Sequence, residues 1–136
     1  MGKIIVWNSH GNEDYSQEPT NHYIGRSKTF NPLGNPFTHN GVKSNLAKLS
    51  FKTREEAIEA YKQYFNQLYG NDERITKAFD EIYEEYKSGK DVYLQCFCKP
   101  LPCHGDYLAE MLQKKLLKEI FEERRKAKRK DSQTEP

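Results

Sequence analysis

The sequence contains no long hydrophobic run, and this absence argues against a membrane-spanning helix. A helical span needs roughly 20 consecutive apolar residues, whereas only 35% of the 136 residues are hydrophobic and no stretch approaches that length. The N-terminus also lacks the basic-then-apolar pattern of a secretory signal peptide. We therefore expect a cytoplasmic protein that has no membrane partner.

The chain is also poor in cysteine and carries little net charge. Its 3 cysteines are an odd number and are crowded together, unlike the disulfide framework of a small secreted domain. The 22 Lys and Arg nearly balance the 20 Asp and Glu, for a net charge of +2, so overall charge gives no argument for nucleic-acid binding. The length fits one domain with one modest core. We predict a single domain over residues 1–121, then a basic helix end and disordered tail over 122–136.

The order of the predicted elements is typical of an α/β fold. Short apolar runs predict three strands, at 3–8, 22–25 and 91–96. Capping residues and apolar residues at helical spacing predict three helices, at 53–70, 71–88 and from about 104 onward. The segment 27–50 is rich in Gly, Asn and Pro and is predicted to be an ordered binding loop. This alternation indicates a single small sandwich, with a short, mostly parallel sheet flanked by helices.

The residues best suited to metal binding or catalysis lie together between the last strand and the last helix. All three cysteines fall within residues 96–103, and His104 follows directly. Cys103 and His104 are therefore expected at a helix start, where backbone N–H groups have no acceptor within the helix and carry partial positive charge. Such a position lowers the pKa of a thiol and stabilises a bound anion.

Four interpretations of this junction remain open. The first is a tetrahedral zinc site, whose ligands would be Cys96, Cys98, Cys103 and His104, although their spacing is not a common zinc pattern. The second is covalent catalysis by Cys103, assisted by His104 or another base, with Asp106 as a candidate general base. The third is an anion or nucleotide site in which His104 and Asp106 make polar contacts. The fourth is structural, with the cysteines acting as small buried hydrophobic residues.

Other segments are expected to complete a ligand site at the same edge of the sheet. Ligands of parallel α/β sheets bind beyond the carboxyl ends of the strands, and Asn8 and Arg26 follow two of the predicted strands. Arg26 offers a bidentate fork for phosphate or carboxylate, and the loop around Asn35 could fold over it. For Arg26, Asn35 and Phe37 a purely structural role is the alternative. The predicted ligand-binding set is Asn8, Arg26, Gly34, Asn35, Phe37, Cys98, His104 and Gly105.

The C-terminal segment is strongly basic. Six of the seven residues from Arg124 to Lys130 are Lys or Arg. Such a run can contact the phosphates of a nucleic acid, or it can be a solvated helix face.

Three motifs together resemble a known family, the domain of unknown function 4326. They are Tyr23-Ile24-Gly25-Arg26, Leu33-Gly34-Asn35-Pro36-Phe37, and Cys96-x-Cys98-x-Pro100-x-Pro102-Cys103-His104-Gly105-Asp106-x-Leu108. The likeness covers about residues 3–117, and such domains occur in bacterial and phage proteins. The Cys103-His104 helix start has a weaker, local likeness to the domain of unknown function 488.

The motifs and the resemblance together favour a protein that binds a nucleotide-like or phosphate-bearing small molecule at the strand–loop–helix junction. Chemical processing of this molecule by the protein is left open. Whether the protein is an enzyme is left open. The alternative is a zinc-bearing or phage-encoded interaction module that binds a host protein or nucleic acid.

Overall fold

Within the part of the chain that the structure describes, three parallel strands form the central sheet. The computed structural model describes residues 2–25, 31–39, 49–51, 53–96 and 103–134. The sheet contains β1 (Ile4–Asn8), β2 (Asn21–Tyr23) and β5 (Val92–Cys96), in the order β1-β5-β2. All pairings are parallel, with Asn8 opposite Cys96 and Tyr23 opposite Gln95. The carboxyl ends of the three strands therefore lie at one edge of the sheet.

Two further strands lie in the segment that the sequence predicts to be a loop. β3 (Phe37–His39) and β4 (Leu49–Phe51) form a separate parallel pair. The loop prediction is therefore wrong for these residues. Strands of three residues are too short to show the alternating pattern by which strands are recognised in a sequence.

The described residues form three helices, which begin and end close to the residues that their capping signals predict. They are α1 (Arg54–Leu68), α2 (Glu73–Lys87) and α3 (His104–Thr134). The Thr53 hydroxyl accepts a hydrogen bond from the Glu56 amide at 3.1 Å, and the Asp72 carboxylate accepts from the first-turn amides of α2. Gly70 and Gly89, which follow α1 and α2, have φ values of +88° and +98°, a conformation that glycine adopts without steric cost.

Helices α2 and α3 pack on one face of the central sheet, and α1 packs against both of them and against β3 and β4. Along β5, Val92, Leu94 and Cys96 are buried and alternate with half-buried residues, so every second side chain faces the helices. The aromatic and aliphatic side chains that meet them include Tyr61, Phe65, Phe79, Ile82, Leu108 and Leu112. Burying one such side chain stabilises the fold by about 1.5–3 kcal/mol.

The opposite face of the sheet carries a polar and aromatic layer. The Tyr15 ring stacks on Tyr93 with centroids 4.5 Å apart and meets Trp7 edge-on at 5.6 Å. The Trp7 indole N–H donates to Asn21 Oδ1 at 2.9 Å, and Asn21 Nδ2 donates to Gln95 Oε1 at 2.9 Å. Among the described residues, this face is covered by the β1–β2 connection. The α/β class is confirmed, with α2 and α3 on one side of the sheet.

The last helix is longer than expected. The sequence predicts a disordered end from Asp131, whereas the helical backbone continues to Thr134. Glu, Arg, Lys, Ala and Gln all favour helix, so the segment can continue the helix without packing contacts. None of the described helices combines the length and apolar character that a bilayer crossing requires.

Candidate functional site

The first turn of α3 lies directly on the carboxyl half of the central sheet. A Cβ atom at Gly105 would lie 2.7 Å from Ile24 Cδ1 and 2.9 Å from Val6 Cγ1. Val6 belongs to β1 and Ile24 follows β2, so this turn spans the sheet across β5. Contacts below 3.0 Å leave no room for a side chain, so Gly105 permits the close approach of helix and sheet. This role was not predicted for it.

Two cysteine sulfur atoms meet beneath this turn. Cys96 and Cys103 are 1% and 2% exposed, and their Sγ atoms lie 3.6 Å apart. Cys98, another of the predicted zinc ligands, lies outside the described residues. Within the described part of the chain, no group of three or more His, Cys, Asp or Glu side chains could hold a metal. The zinc site therefore stays a prediction that depends on Cys98.

Asp106 caps the helix that it opens. The Cys103 amide donates to Asp106 Oδ2 at 3.2 Å, and the Asp106 amide donates to the Cys103 carbonyl at 3.1 Å. A carboxylate in the first turn is also favoured by the partial positive charge of the helix N-terminus. The catalytic roles predicted for Cys103 and Asp106 stay predictions, but both residues have these structural contacts.

His104 connects three parts of the fold. It is 6% exposed, and its Nε2 donates to the carbonyl oxygen of Ile24 at 2.7 Å. Its ring meets Tyr61 edge-on at 4.8 Å, and the Tyr61 hydroxyl donates to the Leu33 carbonyl at 3.0 Å. Burial raises the pKa of Tyr61 well above its usual value, so the hydroxyl stays protonated and can donate. His104 therefore ties α3 to α1 and to the end of β2.

The described segment that precedes Arg26 reaches His104, since Ile24 accepts the hydrogen bond from it. Arg26 itself lies outside the described residues. Asn31 Nδ2 donates to the Tyr23 carbonyl at 2.9 Å and to the Gly25 carbonyl at 2.8 Å. This role of Asn31 was not predicted, and its position before a proline is the only signal for it in the sequence. The predicted meeting of Arg26 and His104 remains a prediction.

One residue of the predicted loop, Gly34, lies close to this strand end. A Cβ atom at Gly34 would lie 3.0 Å from the Gly25 carbonyl oxygen, so Gly34 lets the two segments approach. Asn35 is 8% exposed and makes polar contacts. Phe37 belongs to β3, and its side chain lies outside the described part of the structure. Asn8 ends β1 and accepts a hydrogen bond from the His10 amide at 2.9 Å.

Ser9 was missed by sequence reasoning. Its amide donates to the Cys96 carbonyl at 3.1 Å, which places it at the carboxyl edge beside β5. Its hydroxyl oxygen is buried and has no hydrogen-bond partner among the described residues. A buried polar group without a partner costs about 1–3 kcal/mol, which makes Ser9 a candidate ligand contact. Its position directly after Asn8 is the only signal in the sequence.

Two surface depressions lie elsewhere, along α2. The larger has a volume of about 700 Å³ and is lined by His22, Lys77, Asp80, Glu81, Glu84 and Glu85. Four carboxylates against one lysine make it unsuitable for a phosphate. The smaller has a volume of about 250 Å³ and lies between β2, the segment 31–33 and α2. It is below the usual range of about 300–1,000 Å³ for small-molecule sites.

Fold and site together define a small α/β domain whose last helix begins on the carboxyl half of a three-stranded parallel sheet. The chain belongs to the family described as Domain of unknown function (DUF4326), whose family model matches residues 7–114. The resemblance found in the sequence is thus confirmed. The match ends within α3, so residues 115–134 of that helix lie beyond it.

One relative comes from a bacteriophage. Over 70 residues the chain is 39% identical to the "Uncharacterized 12.4 kDa protein in nrdA-td intergenic region" of Enterobacteria phage T4. The match covers 52% of this chain and 57% of the relative, so it spans little more than half of the phage protein. No solved structure matches the chain.

Proposed function

We propose that the protein binds a nucleotide-like or phosphate-bearing small molecule at the carboxyl edge of the central sheet. The observation that supports this most directly is the meeting, at one edge, of the α3 start with the ends of β1, β2 and β5. Parallel α/β sheets bind their ligands at this edge. The buried Ser9 hydroxyl at the same edge, which has no hydrogen-bond partner within the described part of the chain, offers a polar contact.

An anionic ligand group fits the electrostatics of this edge. The first amides of a helix have no acceptor within the helix, and together they favour negative charge. Asp106 engages one of them, the Cys103 amide, so a phosphate would use other donors of this turn. Arg26, which follows Gly25 directly in the sequence, would supply the bidentate contact.

We propose binding rather than a defined chemical step. Cys103 is 2% exposed, and its sulfur faces Cys96. A nucleophilic thiol must reach its substrate as the thiolate. The surroundings of Cys103 do not indicate which substrate bond such a thiolate would attack.

Thermal-shift measurement of the purified protein tests this proposal. The probes are ATP, NAD and ribose 5-phosphate, each titrated separately. Because a ligand that binds only the folded state stabilises it, at least one of them is expected to raise the Tm in a concentration-dependent way. If no nucleotide, NAD-type compound or sugar phosphate changes the Tm, the proposal is wrong.

Two variants locate the site once a probe is found. Ser9→Ala is expected to weaken binding about tenfold or more, because a hydrogen bond to a charged group contributes about 1.5–3 kcal/mol. The matched control is Ser16→Ala, at an exposed serine of the β1–β2 connection. Arg26→Lys should also weaken binding, because lysine cannot form the bidentate contact. Equal Kd values for Ser9→Ala and Ser16→Ala would place the ligand elsewhere.

A zinc module is the second candidate, and it rests on one distance. Two thiolates on a tetrahedral zinc ion, with Zn–S bonds of about 2.3 Å, lie about 3.8 Å apart, close to the 3.6 Å between Cys96 and Cys103. Elemental analysis of protein purified without chelator decides between the candidates. Stoichiometric zinc that is lost in Cys98→Ser would favour the zinc module, and protein free of zinc would exclude it.

A further inference from the structure

The end of α3 forms a surface of its own, which we call the basic helix end and define as residues 121–134. All its described side chains, from 121 to 129, are exposed. Five of them are basic: Arg124, Arg125, Lys126, Lys128 and Arg129. Lys130 follows in the sequence, and no acidic residue lies between Arg124 and Lys130.

The charge of the protein is divided unevenly between this surface and the rest. These six residues belong to the 22 Lys and Arg that give the chain its net charge of +2; without them the net charge would be −4. The basic helix end also contains Glu122, Glu123 and Asp131 and so has a net charge of +3, whereas residues 1–120, with 16 basic and 16 acidic residues, have no net charge. Such asymmetry points to a polyanionic partner. The basic helix end also lies beyond residues 7–114, which the family model matches.

The shape and composition of the basic helix end indicate which kind of polyanion is the best match for it. At about 100° per residue, its five described basic side chains spread over about 200° of the helix circumference. Within residues 121–134 the only apolar residues are Phe121, which is 57% exposed, and Ala127. A helix that lies in a membrane surface needs a broad apolar face, and a helix that docks in a protein groove needs apolar anchors at i, i+4 and i+7. Neither requirement is met.

We propose that the basic helix end binds the phosphate backbone of double-stranded nucleic acid. Its 14 residues extend about 21 Å, the rise of about six base pairs. A major groove about 12 Å wide admits one α-helix, and basic side chains over 200° of the circumference reach phosphates on both sides of it. The contacts are made to phosphates, so binding is independent of base sequence. This proposal is independent of the small-molecule site.

Fluorescence anisotropy with the full chain and labelled duplex DNA tests the proposal. Two unrelated sequences of roughly 20 base pairs are used at salt concentrations from about 50 to about 200 mM. The two duplexes are expected to bind equally well. With about four to six phosphate contacts, log Kd should rise with log salt with a slope of about 4 to 5, so that Kd rises several hundred- to a thousandfold over this range.

A triple variant and a matched control identify the surface responsible. Arg124→Gln/Arg125→Gln/Lys128→Gln should lower this slope by about 2 to 3, because each lost phosphate contact removes about 0.9. The control, Lys77→Gln/Lys90→Gln/Lys114→Gln, changes three exposed lysines elsewhere and has the same net charge. Its slope should match that of the unchanged protein. Circular dichroism of both variants verifies that the helix content is unchanged.

Several outcomes would overturn the proposal. One is the absence of duplex binding at about 50 mM salt. Another is an equal loss of slope in the two triple variants, which would indicate a non-specific charge effect. A third is binding to polyglutamate, or to vesicles containing phosphatidylserine, that is as tight as binding to the duplex. That result would assign the surface to an acidic protein or to a membrane.

Discussion

The two halves of α3 have the same backbone conformation and opposite surroundings. In the first half, residues 104–120, Leu108 and Leu112 are 1% exposed and pack in the core. In the second half, residues 121–134, every described side chain is exposed. Packing against the core fixes the first half in place, whereas the second half continues the helix through the helix propensity of its own residues.

This difference explains why a helix can extend beyond its domain. Starting a helix is unfavourable, and isolated helices shorter than about 12–15 residues are marginal in water. The packed half has already nucleated α3, so each further residue adds a hydrogen bond to an existing helix. The first half of α3 therefore serves the fold, and the second half is available for a partner.

Removing a buried side chain from the packed half gives the largest expected effect. Leu112→Ala should lower the free energy of unfolding by about 2–5 kcal/mol, because it removes apolar contacts and leaves a cavity. The matched control is Leu117→Ala, since Leu117 is 49% exposed on the same helix. Urea unfolding measures both changes. Equal losses in the two variants would contradict the packing of Leu112 in the core.

Adding a methyl group at the start of α3 should cost somewhat less. Gly105→Ala favours helix, but its Cβ would lie less than 3.0 Å from Ile24 and Val6. We expect a net loss of about 1–3 kcal/mol. Adding Val6→Ala should recover part of this loss, and a double-mutant cycle measures the coupling. A Gly105→Ala variant that is more stable than the unchanged protein would show that the helix can move away from the sheet.

An ion-paired carboxylate links the packed half to α2. The Tyr83 hydroxyl and Lys87 Nζ donate to Glu119 at 2.7 and 3.0 Å, and these hydrogen bonds lower the pKa of Glu119 below its usual 4.5. A lowered folded-state pKa stabilises the fold above pH 4.5, and this contribution is lost as the pH falls through the folded-state pKa. Because the Glu119 side chain is 31% exposed, we expect only about 1 kcal/mol.

The variant Glu119→Gln tests this contribution. Its deficit in unfolding free energy, measured by urea at neutral pH, should shrink when the measurement is repeated below the folded-state pKa. Glu122→Gln, three residues further along the helix in the exposed half, is the control and should change stability little at either pH. A deficit that is the same at both pH values would mean that the charge of Glu119 contributes nothing.

Removing the end of the exposed half should have the smallest effect on stability. A chain ending at Glu123 loses the basic residues but no described core contact. Its free energy of unfolding should therefore change by less than about 0.5 kcal/mol, as is usual for exposed positions. A large drop in the urea midpoint would show that the segment packs on the domain.

The sequence predicts the regular elements well where the signal is local. The capping residues Thr53 and Asp72 and the glycines at 70 and 89 indicate the helix boundaries, because capping acts within one turn. β3 and β4 were missed because three residues carry too little pattern. The candidate site was located only in outline. Ser9 and Asn31 were missed, since the burial of the Ser9 hydroxyl and the hydrogen bonds of Asn31 to the Tyr23 and Gly25 carbonyls arise only when the chain packs.

The amino-acid sequence alone determined the class of fold, the family and the position of the Cys/His junction between a strand and a helix. These follow from periodicity, caps and motifs, which are properties of neighbouring residues. Only the tertiary structure decided that His104 donates to the Ile24 carbonyl, that Cys103 faces Cys96 and that Gly105 lies against the sheet. Such contacts join residues from separate elements, so they exist only once the parallel strands and α3 have packed together.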